Sequence, residues 1–105
     1  TIYVVGVVIR FNASLTHQYA FEGNATTETT RDQQVAMLDV EIGEWVVKGE
    51  QIGRFLTPLP LDHVHFAVYI NEAICPRLVM GVDDYNEIMI LVHSFHPTWE
   101  LCYLP

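Results

Sequence analysis

Basic residues are scarce in this chain. One lysine, Lys48, and four arginines stand against 13 acidic residues, giving a net charge of −8. No Lys/Arg-rich run exists, so a nucleic-acid or anionic-membrane partner is excluded on electrostatic grounds. Long apolar runs are also missing. The longest near the N-terminus, residues 2–9, is far too short to span a bilayer. It lacks a positive flank, so it reads as a strand and not as a signal peptide. Cysteine is nearly absent, with two residues, Cys75 and Cys102, and no C-x-x-C metal spacing. These are either two buried thiols or one disulfide that closes a loop and contributes roughly 3 kcal/mol.

The remainder is rich in hydrophobic residues, at 50% of 105, which indicates one folded domain over residues 1–105. Opening on Thr1, the chain reads as a processed product or a fragment. Two sequons, Asn12-Ala13-Ser14 and Asn24-Ala25-Thr26, lie in polar, loop-like surroundings and mark Asn12 and Asn24 as candidate glycosylation sites. Together with the sequons, a Cys75–Cys102 bridge is the favoured pairing, and it implies an extracellular or other secreted compartment.

Residues 2–11 are β-branched and predict a first strand, with Gly6 marking a bulge or a close backbone approach. A short second strand is expected near residues 17–21, then a Thr-rich surface loop over 22–32 and a strand over 33–40. Turns at Gly43-Glu44 and Lys48-Gly49-Glu50 separate short strands at 45–47 and 51–56. Thr57-Pro58-Leu59-Pro60 is a rigid linker. It feeds a strand over 61–70, followed by a turn at Asn71-Glu72 and an extended segment over 73–79 that Pro76 interrupts. A helix with Asp84 as cap and Glu87 three residues on presents Ile88, Leu91, Val92 and Phe95 as one apolar stripe, and Pro97 ends it. Residues 83–105 are thus a C-terminal helix and tail appended to a β body.

The densest chemistry lies in Asp62-His63-Val64-His65-Phe66. Alternate residues of a strand share a face, so His63, His65 and Tyr69 point one way and Val64, Phe66, Val68 and Ile70 the other, as an apolar face fit for a core. Two imidazoles held side by side can serve a metal or act as an acid/base pair. His93 and His96, three apart at a helix end, fit the negative C-terminus better than a metal. Trp45, Trp99, Tyr69, Tyr85 and Tyr103 could line a glycan or peptide groove, with core packing the default expectation for each.

The run Asp-Val-Glu-Ile-Gly-Glu-Trp-Val-Val-Lys-Gly-Glu-Gln-Ile-Gly-Arg-Phe over 39–55 resembles a hammerhead pattern shared by several barrel-sandwich families. Lys48 stands in Val-Lys-Gly, not in a lipoyl or biotin attachment context. No Gly-Ser-Thr follows, so a phosphatidylserine decarboxylase is excluded. Joined to the proline linker, His63-Val64-His65-Phe66 and Asn71-Glu72-Ala73-Ile74-Cys75-Pro76, the hammerhead resembles the lysostaphin-type zinc endopeptidases. The resemblance covers about residues 1–76 and is specific over 39–76. It implies a mostly β fold, a barrel sandwich (duplicated hybrid motif) of short, mainly antiparallel strands with one C-terminal helix. It also implies His65 as zinc ligand and His63 as catalytic acid/base.

Two family features are missing. The upstream His-x-x-x-Asp motif that completes the zinc site does not occur in this chain; His17 is followed four residues later by Phe21. Where the family carries a further catalytic imidazole, the sequence has Met37, whose thioether moves no proton. With one or two zinc ligands in place of three, no cofactor is expected, and zinc only if the protein is active. The expectation is a non-catalytic secreted peptidase-like module for binding or structure, its groove formed by His63, His65, Tyr69 and Met37 and its ligand a peptide or glycan. The alternatives are a zinc endopeptidase acting on cell-wall peptides, with ligands supplied upstream, and a self-assembling extracellular subunit, in which case the chain is a homo-oligomer.

Overall fold

The computed structural model describes residues 3–23, 25–56 and 62–102. Four strands, β1 (Val5–Arg10), β2 (Leu15–Glu22), β3 (His63–Ile70) and β4 (Glu72–Ile74), form one antiparallel sheet in the order β1-β2-β3-β4. Helix α1 (Glu28–Ala36) lies between β2 and β3 in the chain, and helix α2 (Val82–Phe95) follows a 3-10 turn at Pro76–Val79. The body is therefore a small antiparallel sheet with a C-terminal helix, and the sheet is open, with β1 and β4 at its edges. No described helix is long and apolar enough to cross a membrane.

Local chemistry explains the turns. Between β1 and β2, the Asn12 Oδ1 accepts from the Ser14 and Leu15 backbone N–H groups at 2.8 and 2.9 Å, a side-chain mimic of a backbone turn. The β1–β2 register runs unbroken from Val5↔Phe21 to Arg10↔Thr16, so no bulge forms at Gly6. Each of the eight β2 residues has a partner on β3, from Leu15↔Ile70 to Glu22↔His63. Asn71, at φ 66°, turns β3 into β4 in the left-handed region that asparagine tolerates.

The stretch after β2 departs from the expected loop and strand. Thr27 caps α1: its hydroxyl accepts from the Thr30 N–H at 3.1 Å, and the Thr30 hydroxyl accepts from the Thr27 N–H at 2.9 Å. The threonines that suggested a loop over 22–32 thus form a reciprocal cap. The strand expected over 33–40 is largely the end of this helix, because its apolar run Val35-Ala36-Met37-Leu38 is short enough to fit either period. Gln34 is buried and ties α1 to the chain at Arg54 and Leu56. Its amide donates to the Arg54 carbonyl at 2.8 Å and accepts from the Leu56 N–H at 2.9 Å.

The 39–55 segment has its two expected turns, with Gly43 at φ 87° and Gly49 at φ 84°, conformations that favour glycine. Its expected strands at 45–47 and 51–56 reduce to one bridge, Leu38↔Gly53. The Asp39 N–H donates to Ile52 and the Arg54 N–H to Met37, at 2.9 and 3.0 Å. This ribbon lies against the sheet: a Cβ on Gly53 would come within 2.9 Å of the Phe21 ring and 3.0 Å of Leu38. Because residues 40–51 run as turns and coil, no second sheet closes over the first among the described residues. Trp45, expected in the core, is 91% exposed on this loop.

By register, Val5, Val7, Ile9, His17, Tyr19, Phe21, Val64, Phe66, Val68, Ile70 and Ile74 share one face of the sheet, but Val64 and Ile70, expected to face a core, are exposed. Val5, Phe21 and Val68 are buried there, Val68 completely. The Phe55 ring meets Phe21 edge-on at 5.4 Å. Toward the other end of this face, Phe11, His17, Tyr19 and Phe66 form an aromatic cluster, with His17 4.4 Å from Phe11 and 5.3 Å from Phe66.

α2 begins at Val82 with Gly81 as its cap, so Asp84 sits inside the first turn and does not cap it. There, beside the positive helix end, Asp84 takes the Lys48 ammonium at 3.0 Å. The expected stripe is split: Ile88 and Val92 are half-buried beside the buried Met89, while Leu91 and Phe95 are exposed. Cys75 and Cys102 form a disulfide with Cα atoms 5.8 Å apart, which fastens the tail to the end of β4. The linker at 57–60, Asn24 and Tyr103 lie outside the described residues.

Candidate functional site

Strand alternation on β3 places His63 and His65 on the face opposite Val68, as the sequence predicts. The β2–β3 register then sets Glu22 across from His63, and Ala20 across from His65. The Glu22 carboxylate reaches both rings: Oε2 lies 2.6 Å from His63 Nε2 and 3.0 Å from His65 Nδ1. The two imidazoles meet nearly edge-on, 5.3 Å apart at an angle of 73°. One nitrogen from each ring and one carboxylate oxygen all lie within 4.8 Å of one another. It is the one group of three such donors among the described residues.

The position is open to water. The side chains of His63 and His65 are 56% and 73% exposed, and that of Glu22 30%. Around them the face carries Gln18, Val8 and Gly6, all exposed, and the small side chains of Ala20 and Ala67. Tyr69 shares the face but stands four residues from His65, roughly 13 Å along the strand. Met37 is the C-cap of α1, in the ribbon whose Gly53 abuts Phe21 on the sheet's other side. Of the four residues expected to line a groove, His63 and His65 are therefore joined by contacts, while Tyr69 and Met37 occupy separate places in the fold.

Glu22 is the site residue that sequence reasoning misses. Ending the second strand at Phe21 puts Glu22 at the head of a loop. Extending the alternation Thr16, Gln18, Ala20 by one step places it on the polar face, in register with His63.

The other histidines are differently engaged. His17, in the aromatic cluster on the covered face, has its pKa lowered by burial, which disfavours the imidazolium. Burial likewise raises the pKa of Tyr19 beside it. His93 Nε2 lies 2.9 Å from the Trp99 carbonyl oxygen, and His96 stacks on the Trp99 ring at 3.6 Å. That pair holds the turn after α2 and does not converge on a common point. The other aromatic expected in the core, Trp99, is thus half-exposed against His96.

Chemically, Glu22, His63 and His65 offer two borderline nitrogen donors and one hard oxygen donor, with space for further ligands from solvent. The cysteines offer no thiolate, because both are in the disulfide. No family model, no curated protein and no solved structure matches this chain.

Proposed function

We propose that the chain is a non-catalytic, secreted module of lysostaphin-type ancestry and barrel-sandwich descent. It binds a cell-wall peptide or glycan on the open face that carries His63, His65 and Tyr69. The observation that supports this most is the setting of the histidines. They stand on an open sheet face, more than half exposed, and are held by Glu22. Peptide hydrolysis relies on donors pre-aimed at the developing oxyanion and on one activated water held apart from bulk solvent. An imidazole pair bathed in water, with Met37 in place of a further histidine, has neither. The order of elements also agrees with this ancestry: two glycine turns, a narrow ribbon at Leu38/Gly53, and then the His-x-His strand. The disulfide fits an oxidising compartment.

One observation favours the second reading, a zinc endopeptidase: Glu22 adds a third donor to the two imidazoles. A paired experiment separates the two. The purified chain is sedimented with insoluble peptidoglycan, and its soluble muropeptides are then incubated with chain and zinc. The module reading predicts co-sedimentation, weakened by Tyr69→Ala and His65→Ala, without cleavage. Zinc-dependent peptide release that His65→Ala abolishes contradicts it and establishes the enzyme.

A further inference from the structure

We infer that Glu22, His63 and His65 form a binding site for one divalent transition-metal ion of the zinc class. The donor set that carries this inference is not the one the family resemblance implies, which takes a single ligand from this strand. Here both histidines of β3 contribute, and the third donor comes from the end of the neighbouring strand β2.

The geometry is close to what such an ion requires. Bonds of about 2.0–2.1 Å at tetrahedral angles separate donor atoms by about 3.3 Å. The Glu22 Oε2 now stands 2.6 and 3.0 Å from the two nitrogens. Opening each gap by less than about 1 Å admits the ion. The side chains can make that movement, because all three reach into solvent and the strands beneath them are paired along their length. In the ion-free arrangement the carboxylate bridges two imidazoles; the metal takes its place between them. The nitrogens that then coordinate present their lone pairs, and the protons they carried pass to the other ring nitrogens or to water.

The donors also select the ion. Calcium and magnesium require six or more oxygen ligands or near-ideal octahedral oxygen geometry, which one carboxylate cannot supply. Two imidazoles and a carboxylate suit zinc, cobalt, nickel and copper. The chain's net charge of −8 favours a dication and opposes an anion at the same place. Exposure leaves the remaining positions to water or to a donor from a partner molecule, so the ion can link the module to a ligand as well as fill the site.

Titration calorimetry of the whole chain with zinc chloride tests the site. The expected result is saturation at one zinc per chain, with affinity reduced at least 10-fold in Glu22→Gln and in His65→Ala. A variant with His93→Ala and His96→Ala, whose rings lie elsewhere, retains the wild-type affinity. X-ray absorption of the zinc-loaded wild type, which does not depend on any variant folding, should show a nitrogen/oxygen shell containing two imidazoles. Absence of saturable binding up to about 1 mM zinc overturns the proposal. So does binding that survives Glu22→Gln and His65→Ala, or a zinc shell without two imidazoles. Peptidoglycan sedimentation is read separately, so loss of one reading leaves the other standing.

Discussion

On one face of the sheet Val5, Phe21 and Val68 are sealed from water; on the other, His63 and His65 stand mostly in it. Both faces are made by the same four strands, and a single step along the chain moves a residue from one to the other. Phe21 and Glu22 are adjacent, yet the first packs under Gly53 and Phe55 while the second bridges two imidazoles. The covered face supplies the stability that lets the open face keep polar groups in fixed positions without burying them. Stability and chemistry are thereby separated by strand alternation, and substitutions on the two faces should have different consequences.

The largest effect is expected from Phe21→Ala, which removes a buried ring in contact with Phe55 and the ribbon. It should cost about 3–5 kcal/mol in urea unfolding. A loss below about 1 kcal/mol would break the comparison, because it would mean the covered face is not the core.

Gln34→Ala comes next. It leaves the Arg54 carbonyl and the Leu56 N–H without their buried partner, and should cost about 1–3 kcal/mol by the same measurement. Loss of that anchor should also raise amide hydrogen exchange at Leu56 above that at Val68.

Glu22→Gln, on the open face, should change the unfolding free energy by less than about 1 kcal/mol, since it alters a solvent-exposed carboxylate–imidazole contact. A cost as large as that of Phe21→Ala would show that the open face also carries the fold.

The smallest effect concerns pH and sharpens the contrast between histidines. Burial among Phe11, Tyr19 and Phe66 holds the folded-state pKa of His17 below its unfolded value of 6.5. The associated stability is present above that value and lost as pH falls through the folded pKa, because the unfolded chain binds the proton more readily. His17→Phe should therefore flatten the decline of Tm between pH 7.5 and 5. An unchanged decline would place the acid sensitivity elsewhere.

Much of this division was legible in the sequence, and the exceptions have physical causes. The His-x-His strand was readable because β-branched and aromatic residues alternate with polar ones. The turns at Gly43 and Gly49 were readable because glycine is the residue that accepts φ near +85°. The Cys75–Cys102 bridge was favoured from the cysteine count and the sequons, and the structure contains it. Helix α1 was not legible: Thr27 and Thr30 cap through side-chain hydrogen bonds that look like loop composition when read one residue at a time. The orientation of α2 was not legible either. A stripe of Ile88, Leu91, Val92 and Phe95 defines an apolar side, but neighbours in space decide which part is covered, and Met89 is the residue they bury. Glu22 escaped because its role depends on strand register, a long-range property that local pattern does not carry.

Nitrogen-resolved NMR of the five histidine rings during zinc titration tests most directly whether the open face is the one that does chemistry. The account predicts that the ring nitrogens of His63 and His65 shift together and saturate at one equivalent. His17, on the covered face, and His93 and His96, at the C-terminal end of α2, should keep their resonances. Shifts confined to His93 and His96, or no shift at His63 and His65, would contradict it.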